Sequence, residues 1–123
     1  MKVLIDSSIW IDFLRDGEAK HLEVAAAIRS GRAYLCEPVW VELWSGMRGK
    51  REEKVLDHLR DCCEWLEIDA ETWSLTADLR RAARRMGLNF PLADVLIVAC
   101  AKRHGASLMH RDKHFEALMK LSL

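Results

Sequence analysis

The stretch Val3-Leu4-Ile5-Asp6-Ser7-Ser8 decides how the rest of the chain is interpreted. The apolar run at residues 2–5 is too short for a helix and predicts a strand. Asp and Ser commonly cap helix N-termini, and helical periodicity covers residues 9–14 directly afterwards. The sequence therefore predicts a strand-to-helix turn that carries a carboxylate, Asp6, at its tip.

The remainder of the chain continues this alternation. Further strand-like runs occupy residues 33–36, 65–68 and 106–109. Helices are predicted between and after them, over residues 19–29, 38–45, 52–63, 71–86, from 89–91 to about 104, and 113–121. Strands separated by helices are typical of an α/β fold with a parallel sheet. Because no repeat, low-complexity segment or linker interrupts the pattern, we expect one domain over residues 1–123.

The charge balance limits the possible functions. The 19 Lys and Arg residues match the 19 Asp and Glu residues, so the formal net charge is zero. The long-range attraction that a basic domain exerts on nucleic acid is therefore missing, and any nucleic-acid chemistry must depend on a local site. The sequence also lacks a GxGxxG or P-loop motif that would indicate nucleotide binding.

The apolar segments and the cysteines indicate the compartment. The uncharged run at residues 95–101 is far shorter than the ~20 apolar residues of a membrane span, and no signal peptide opens the chain. We therefore expect a cytoplasmic protein. The cysteines include no CxxC pair, which predicts reduced, mostly buried thiols; they are Cys36, Cys62, Cys63 and Cys100.

Two carboxylates follow strands of the predicted sheet. Asp6 comes directly after the first strand, and Asp112 follows the last strand with two residues between. In an open parallel sheet, functional groups collect beyond the carboxyl ends of the strands. Each of these aspartates could instead act only as a helix cap, because a carboxylate stabilises the exposed N–H groups of a helix start.

Two further carboxylates lie on apolar helices. Asp94 stands in the first turn of a helix whose next seven residues carry no charge, although a solvated aspartate at this position would be unremarkable. Glu42 interrupts a helix that is apolar nearly all round, together with Ser45, Gly46 and Gly49. This narrow stripe predicts a buried helix lining a cleft. A buried Glu42 needs a cation or an arginine partner.

The four acids together indicate a metal site. Two like charges ~4 Å apart repel by ~4 kcal/mol at an effective dielectric of 20, so such a cluster requires compensation. A hard divalent cation with oxygen ligands provides it. Mg²⁺ readily binds phosphate oxygens, so phosphodiester hydrolysis is the chemistry that this pattern favours.

Four segments resemble, in order and spacing, the motifs of PIN-domain ribonucleases, and their length and distribution resemble VapC-type toxins of type II toxin–antitoxin systems. They are residues 3–11, the helix carrying Glu42, Pro91-Leu92-Ala93-Asp94-Val95-Leu96-Ile97 and His110-Arg111-Asp112-Lys113-His114-Phe115. The resemblance implies a three-layer PIN-like fold with a central, mostly parallel sheet flanked by helices.

The resemblance also implies the site and its partners. Asp6, Glu42, Asp94 and Asp112 would be the catalytic and metal-binding residues, with Ser8 in a supporting position. Mg²⁺, or Mn²⁺ as its substitute, would activate the water that cleaves RNA. A VapB-like antitoxin would inhibit the enzyme, and a homodimer is implied. His110 and His114 depart from the usual motif, which leaves the outer part of the site open.

Other residue clusters permit two interpretations each. Residues Arg80, Arg81, Arg84 and Arg85 form either a solvated helix face or a track for an RNA backbone. Five tryptophans exceed what so small a core comfortably buries, so some could line a partner groove. His110 and His114 could form a zinc pair, but no third close ligand supports it.

The principal rival to a nuclease is a catalytically silent module whose acidic cleft binds an arginine-bearing protein. Metal-dependent RNA cleavage would separate the two functions. A phosphatase or phospho-receiver built on Asp6 fits less well, because no second acid stands two residues after it.

Overall fold

Four short strands form one sheet in the computed structural model, which describes residues 1–121. The strands are β1 (Val3–Ile5), β2 (Ala33–Leu35), β3 (Glu64–Trp65) and β4 (Ser107–Met109), and they lie in the order β3-β2-β1-β4. All three pairings are parallel, as predicted. Val3 pairs with Ala33 on one side and with Ser107 on the other, so the strands end at a common edge.

Seven α-helices flank this sheet in the described part of the chain. They are α1 (Ser7–Asp16), α2 (Leu22–Arg29), α3 (Glu37–Ser45), α4 (Lys50–Cys62), α5 (Ala70–Arg85), α6 (Leu92–Arg103) and α7 (Lys113–Lys120). The α/β class and the parallel sheet that the sequence predicts are therefore confirmed. No helix within residues 1–121 combines the length and the apolar character needed to cross a bilayer.

Two predicted elements differ from the structure. The helix expected over residues 19–29 is divided into a short 3-10 helix, Glu18–Lys20, and α2, because His21 adopts a non-helical backbone and its ring bonds to Asp16 at 3.0 Å. The strand expected over residues 65–68 ends at Trp65. Its partner β2 ends at Leu35, so after the bond from Leu66 N to Leu35 O the ladder has no further partner.

Helix α6 runs through the centre of the core. Every residue from Val95 to Ala101 is buried, which confirms the expectation from its uncharged sequence. Trp10 on α1 is also fully buried. Three of the four cysteines, Cys36, Cys63 and Cys100, are buried free thiols, whereas Cys62 is exposed. The core therefore fixes α1 and α6, the two helices whose first turns carry or follow predicted site residues.

Candidate active site

The carboxyl ends of the neighbouring strands β1 and β4 bring Asp6 and Asp112 to the same edge of the sheet. Asp6 N donates to Met109 O at 3.0 Å, which ties the two strand ends together. Asp6 caps α1 and Asp112 caps α7, where each side chain accepts a backbone hydrogen bond, from Ser8 N and His114 N respectively. Each aspartate thus caps a helix and also lies at the shared sheet edge, so its function as a cap does not exclude a role in a site.

Helices α3 and α6 place two further acids beside them. Glu42 lies near the middle of α3, and Asp94 lies in the first turn of α6. The four predicted acids line one cleft of about 660 Å³. Its remaining lining residues are Ser7, Ser8, Arg111, Lys113, His114 and Phe115. The structure therefore brings together every acid that the sequence singled out.

Helix α3 is less buried than the sequence suggested. Val39 and Leu43 are buried, but Val41 is 61% exposed and Trp44 39% exposed. The helix that was expected to be buried beside a cleft is buried only in part, because α3 packs through one face against α1 and α6. Gly49 belongs to the N-terminus of α4 instead of the α3 stripe. Glu42 consequently reaches the cleft from a helix that also presents apolar side chains to solvent.

A hydroxyl neighbour holds the Glu42 carboxylate. Ser7 Oγ donates to Glu42 Oε2 at 3.0 Å, and within residues 1–121 Glu42 forms no ion pair. Partial burial raises the pKa of Glu42, the Ser7 hydrogen bond opposes this, and the negative charges of Asp6 and Asp94 raise it further. The carboxylate is therefore positioned but not neutralised.

The pKa of Asp94 is raised for similar reasons. Burial raises its pKa, and the charges of Asp112 and Asp6 raise it further, whereas nearby His114 lowers it. His114 Nδ1 lies 3.9 Å from Asp94 Oδ2 and 3.7 Å from Asp112 Oδ2. Neighbouring negative charges that raise the pKa values of Glu42 and Asp94 mark a site suited to an added cation.

The donor set fits a divalent ion. One ligand atom from each of Asp94, Asp112 and His114 can be chosen so that all lie within 4.8 Å of one another. Carboxylate oxygens are the donors that Mg²⁺ and Mn²⁺ prefer, and an imidazole nitrogen is compatible with Mn²⁺. Together with the uncompensated acids around them, these residues are chemically suited to holding such a cation.

The two histidines do not act as a pair. His110 packs against Phe115, with ring centroids 5.4 Å apart, and is not among the residues lining the cleft. Its Nδ1 is buried without a hydrogen-bond partner in the described part of the chain. The geometry therefore gives no support to a zinc site formed by His110 and His114.

Some residues near the site were missed by the sequence interpretation. Ser8 Oγ donates to Asp6 Oδ2 at 2.8 Å, in line with its predicted supporting position, but the bond from neighbouring Ser7 to Glu42 was not foreseen. Arg111 forms an ion pair with the buried Asp12 of α1 and donates to Ser8 O at 3.3 Å. Adjacent hydroxyls could have indicated Ser7. No sequence signal indicated Arg111, because its partners Asp12 and Ser8 lie about a hundred residues earlier in the chain.

The sheet order and the acid-lined cleft define the class of this protein. The family model of the PIN domain matches residues 3–121, and the chain belongs to this family.

Two relatives show which members of this family the chain resembles. A VapC ribonuclease of Mycobacterium bovis and ribonuclease VapC11 of Mycobacterium tuberculosis are each 33% identical to the chain over 125 residues, covering 98% of this chain and 93% of the relative. The similarity therefore spans nearly the whole length of both proteins.

Solved structures show the same fold. VapBC2 from Rickettsia felis, bound to a promoter DNA fragment, matches with a TM-score of 0.80 at 15% identity, covering 95% of this chain and 92% of the other. VapC20 from Mycobacterium tuberculosis, a toxin that cleaves the sarcin–ricin loop, matches with a TM-score of 0.70 at 17% identity and 94% coverage of both chains. The PIN-like arrangement expected from the sequence motifs is confirmed.

Proposed function

We propose that this protein is a divalent-cation-dependent endoribonuclease toxin restrained by a VapB-like antitoxin. The observation that carries the proposal is the cleft in which Asp6, Glu42, Asp94 and Asp112 meet without enough positive charge to balance them. Membership of the PIN domain family and the full-length similarity to VapC ribonucleases support RNA as the substrate. We propose the cytoplasm as its compartment, where such a toxin would meet RNA.

Each side chain would contribute to the chemistry in a defined way. Asp94 and Asp112 would hold Mg²⁺, or Mn²⁺ in its place, with Glu42 and Asp6 completing the negative site. A bound divalent cation lowers the pKa of water and stabilises charge on a phosphate. Ser7 and Ser8 keep the carboxylates of Glu42 and Asp6 oriented through their hydrogen bonds.

Positive side chains at the cleft rim would favour a phosphodiester substrate. Arg111 and Lys113 flank Asp112 and line the same cleft. Part of the Arg111 charge is committed to Asp12, whereas Lys113 forms no ion pair within residues 1–121. An RNA phosphate entering beside Lys113 would gain an opposite charge at the point where the carboxylates alone would repel it.

The antitoxin would occupy an apolar groove that adjoins the acidic cleft. Helices α1, α3 and α4 form a groove of about 790 Å³, and Glu42 lines both this groove and the cleft. Its apolar lining includes Ile11, Leu14, Met47 and Val55. A partner segment with apolar side chains and one Arg or Lys would bury the former in the groove and direct the latter toward Glu42.

A catalytically silent binding module is less favoured. Such a module would also have an apolar groove and an acidic cleft that binds an arginine of the partner. It would not explain why the full-length relatives are ribonucleases. We therefore favour an inhibitor site in the groove beside a catalytic site in the cleft.

Metal removal tests the proposal directly. We expect the purified protein to cleave RNA in Mg²⁺ or Mn²⁺, to lose this activity in EDTA, and to recover it when the metal is restored. Comparing the two metals at equal concentration would identify the better cofactor. Cleavage that persists undiminished in EDTA would refute the metal-dependent function, and no cleavage under any metal condition would favour the silent module.

A further inference from the structure

A second cleft, lined by arginines, lies on the outer face of α5. It has a volume of about 680 Å³, and all its charged lining residues are cationic: Arg80, Arg81, Arg84 and Arg85. Thr76, Ala77, Trp73 and Leu92 complete the lining. A protein without net charge thus concentrates four positive charges within two turns of one helix.

These arginines lack the partners that commonly neutralise a helix face. None of the four forms an ion pair within residues 1–121. Arg32, Arg48 and Arg51 form none in this range either, whereas the other arginines do: Arg15, Arg29, Arg60, Arg103 and Arg111. Arg80 Nε is buried and has no hydrogen-bond partner in the same range. A buried donor without a partner is costly. Arg80 as a whole is only half-buried and lines the cleft, so the residue is placed to contact an anion there.

An exposed aromatic ring stands at one end of this cleft. The Trp73 side chain is 50% exposed, although a tryptophan of this size would normally be mostly buried. An accessible indole beside several guanidinium groups is the combination that binds single-stranded nucleic acid, since the arginines contact phosphates and the ring stacks on a base.

The arginine cleft connects to the acidic cleft along the protein surface. Trp73 also lines an apolar trough between α3, α5 and α6, and Glu42 lines both this trough and the acidic cleft. On α6, Leu92 lines the arginine cleft and Asp94, two residues further on, lines the acidic cleft. A ligand held by the arginines can therefore extend toward the carboxylates.

We propose that the arginine cleft and Trp73 bind the backbone and one base of single-stranded RNA, and so position a neighbouring phosphodiester at the acidic cleft. The inference rests on the proposed nuclease function, because it assigns the flanking subsite for that substrate. RNA suits the surface better than an acidic protein segment does, since a polyanion with stackable bases matches both the guanidinium groups and the indole.

Equilibrium binding separates this subsite from the catalytic chemistry. The probe is a short fluorescein-labelled single-stranded oligoribonucleotide, followed by anisotropy in EDTA at several salt concentrations. The test variants are Arg81→Gln/Arg84→Gln and Trp73→Ala, and the matched control is Lys20→Gln/Lys54→Gln, which removes the same charge from exposed sites elsewhere.

The arginine variant should weaken RNA binding by roughly tenfold or more and reduce the magnitude of the salt slope by about 1.4, which corresponds to two lost phosphate contacts on a single strand. Trp73→Ala should weaken binding by roughly tenfold through lost stacking, and Trp73→Phe should recover part of it. The lysine control should bind like the wild type. Equal binding by all variants, or no binding by the wild type, would overturn the proposal.

Cleavage assays and the oligomeric state distinguish a failure of the proposed subsite from a failure of the proposed nuclease function. In Mn²⁺ the arginine variant should raise KM with kcat nearly unchanged. If the wild type binds RNA through the arginines but never cleaves it, the nuclease function fails and the subsite stands. If the wild type cleaves and the variants retain its KM, only the subsite fails. A change of mass in analytical ultracentrifugation, caused by the α5 substitutions, would identify an interface between copies and likewise overturn the subsite.

Discussion

The acidic cleft and the arginine cleft are nearly equal in size, about 660 and 680 Å³, but they carry opposite charge. The acids come from four separated positions in the chain and meet only after folding. The arginines come from one segment of α5. A formal net charge of zero therefore conceals two strongly charged surfaces, and overall composition gives no guidance to either of them.

The two clefts also differ in burial. In the acidic cleft Asp6 is 7% exposed and Asp94 is half-buried, whereas Glu42 and Asp112 are exposed. In the arginine cleft Arg80 is half-buried, and Arg81, Arg84 and Arg85 are exposed. Water screens the repulsion among the exposed arginines, but it screens the charges of the buried Asp6 and the half-buried Asp94 less. If the proposed cation site is correct, the acidic cleft should depend on its ion more than the arginine cleft depends on a ligand.

The largest expected effect is on catalysis. Asp94→Asn should lower RNA cleavage by orders of magnitude, because it removes a carboxylate that would hold the metal while keeping the shape of the side chain. Arg81→Gln/Arg84→Gln should reduce cleavage only through substrate affinity. Initial rates at saturating RNA measure the difference, with Asp61→Asn on the exposed face of α4 as the control. Equal losses of the saturated cleavage rate in the two variants would contradict the assignment of catalysis to the acidic cleft and of substrate binding to the arginine cleft.

A smaller effect is expected on inhibitor binding. Ile11→Ala and Val55→Ala should each weaken the antitoxin complex by roughly tenfold, since each removes half-exposed apolar surface from the groove beside Glu42. Leu22→Ala, at an exposed position of α2, is the matched control. Calorimetric titration of a co-purified antitoxin measures the affinities. If Leu22→Ala weakens the complex and the groove variants do not, the partner binds elsewhere.

The smallest expected effect is on stability without metal. The pKa of Asp94 is higher in the folded protein than its ordinary value of 3.8, so this group favours folding at low pH and the benefit is lost as pH rises through the raised pKa. At neutral pH in EDTA, Asp94→Asn should therefore hold or raise the Tm by a few degrees. It should also flatten the dependence of stability on pH. Thermal melts at a series of pH values measure both.

A lower Tm for Asp94→Asn at neutral pH would instead show that the carboxylate is mainly a structural element of the α6 N-terminus. The substitution Arg84→Gln, at an exposed position of the arginine cleft, provides the comparison and should change the Tm little.

The sequence predicted the topology and the four acids better than their surroundings. Asp6 and Asp112 were predictable because each directly follows or nearly follows a strand, and parallel strands end at one edge. Asp94 was predictable because a charge stood out against an uncharged helix that the structure buries completely. These signals are local in sequence, but each also fitted a simple helix cap, and the resemblance to PIN-domain motifs joined the four acids into one expected site.

Other features depended on packing between distant segments. The sequence predicted α3 to be a buried helix that lines a cleft, yet Val41 and Trp44 are exposed. Apolar composition alone does not reveal which face of a helix lacks a neighbour. Of the five tryptophans, some of which could line a partner groove, Trp10 belongs to the core, whereas Trp44 and Trp73 are exposed. The Arg111–Asp12 pair and the trough joining the two clefts likewise arise only from the folded arrangement.

Direct measurement of Mn²⁺ binding tests the central claim that the acidic cleft is a divalent-cation site. Isothermal titration of Mn²⁺ into the protein in the absence of RNA should show binding to the wild type and to Arg81→Gln/Arg84→Gln with equal affinity. Asp94→Asn and Asp112→Asn should each bind at least roughly tenfold more weakly, since each loses an anionic ligand. Mn²⁺ binding that is unaffected by both aspartate substitutions, or absent from the wild type, would contradict the account.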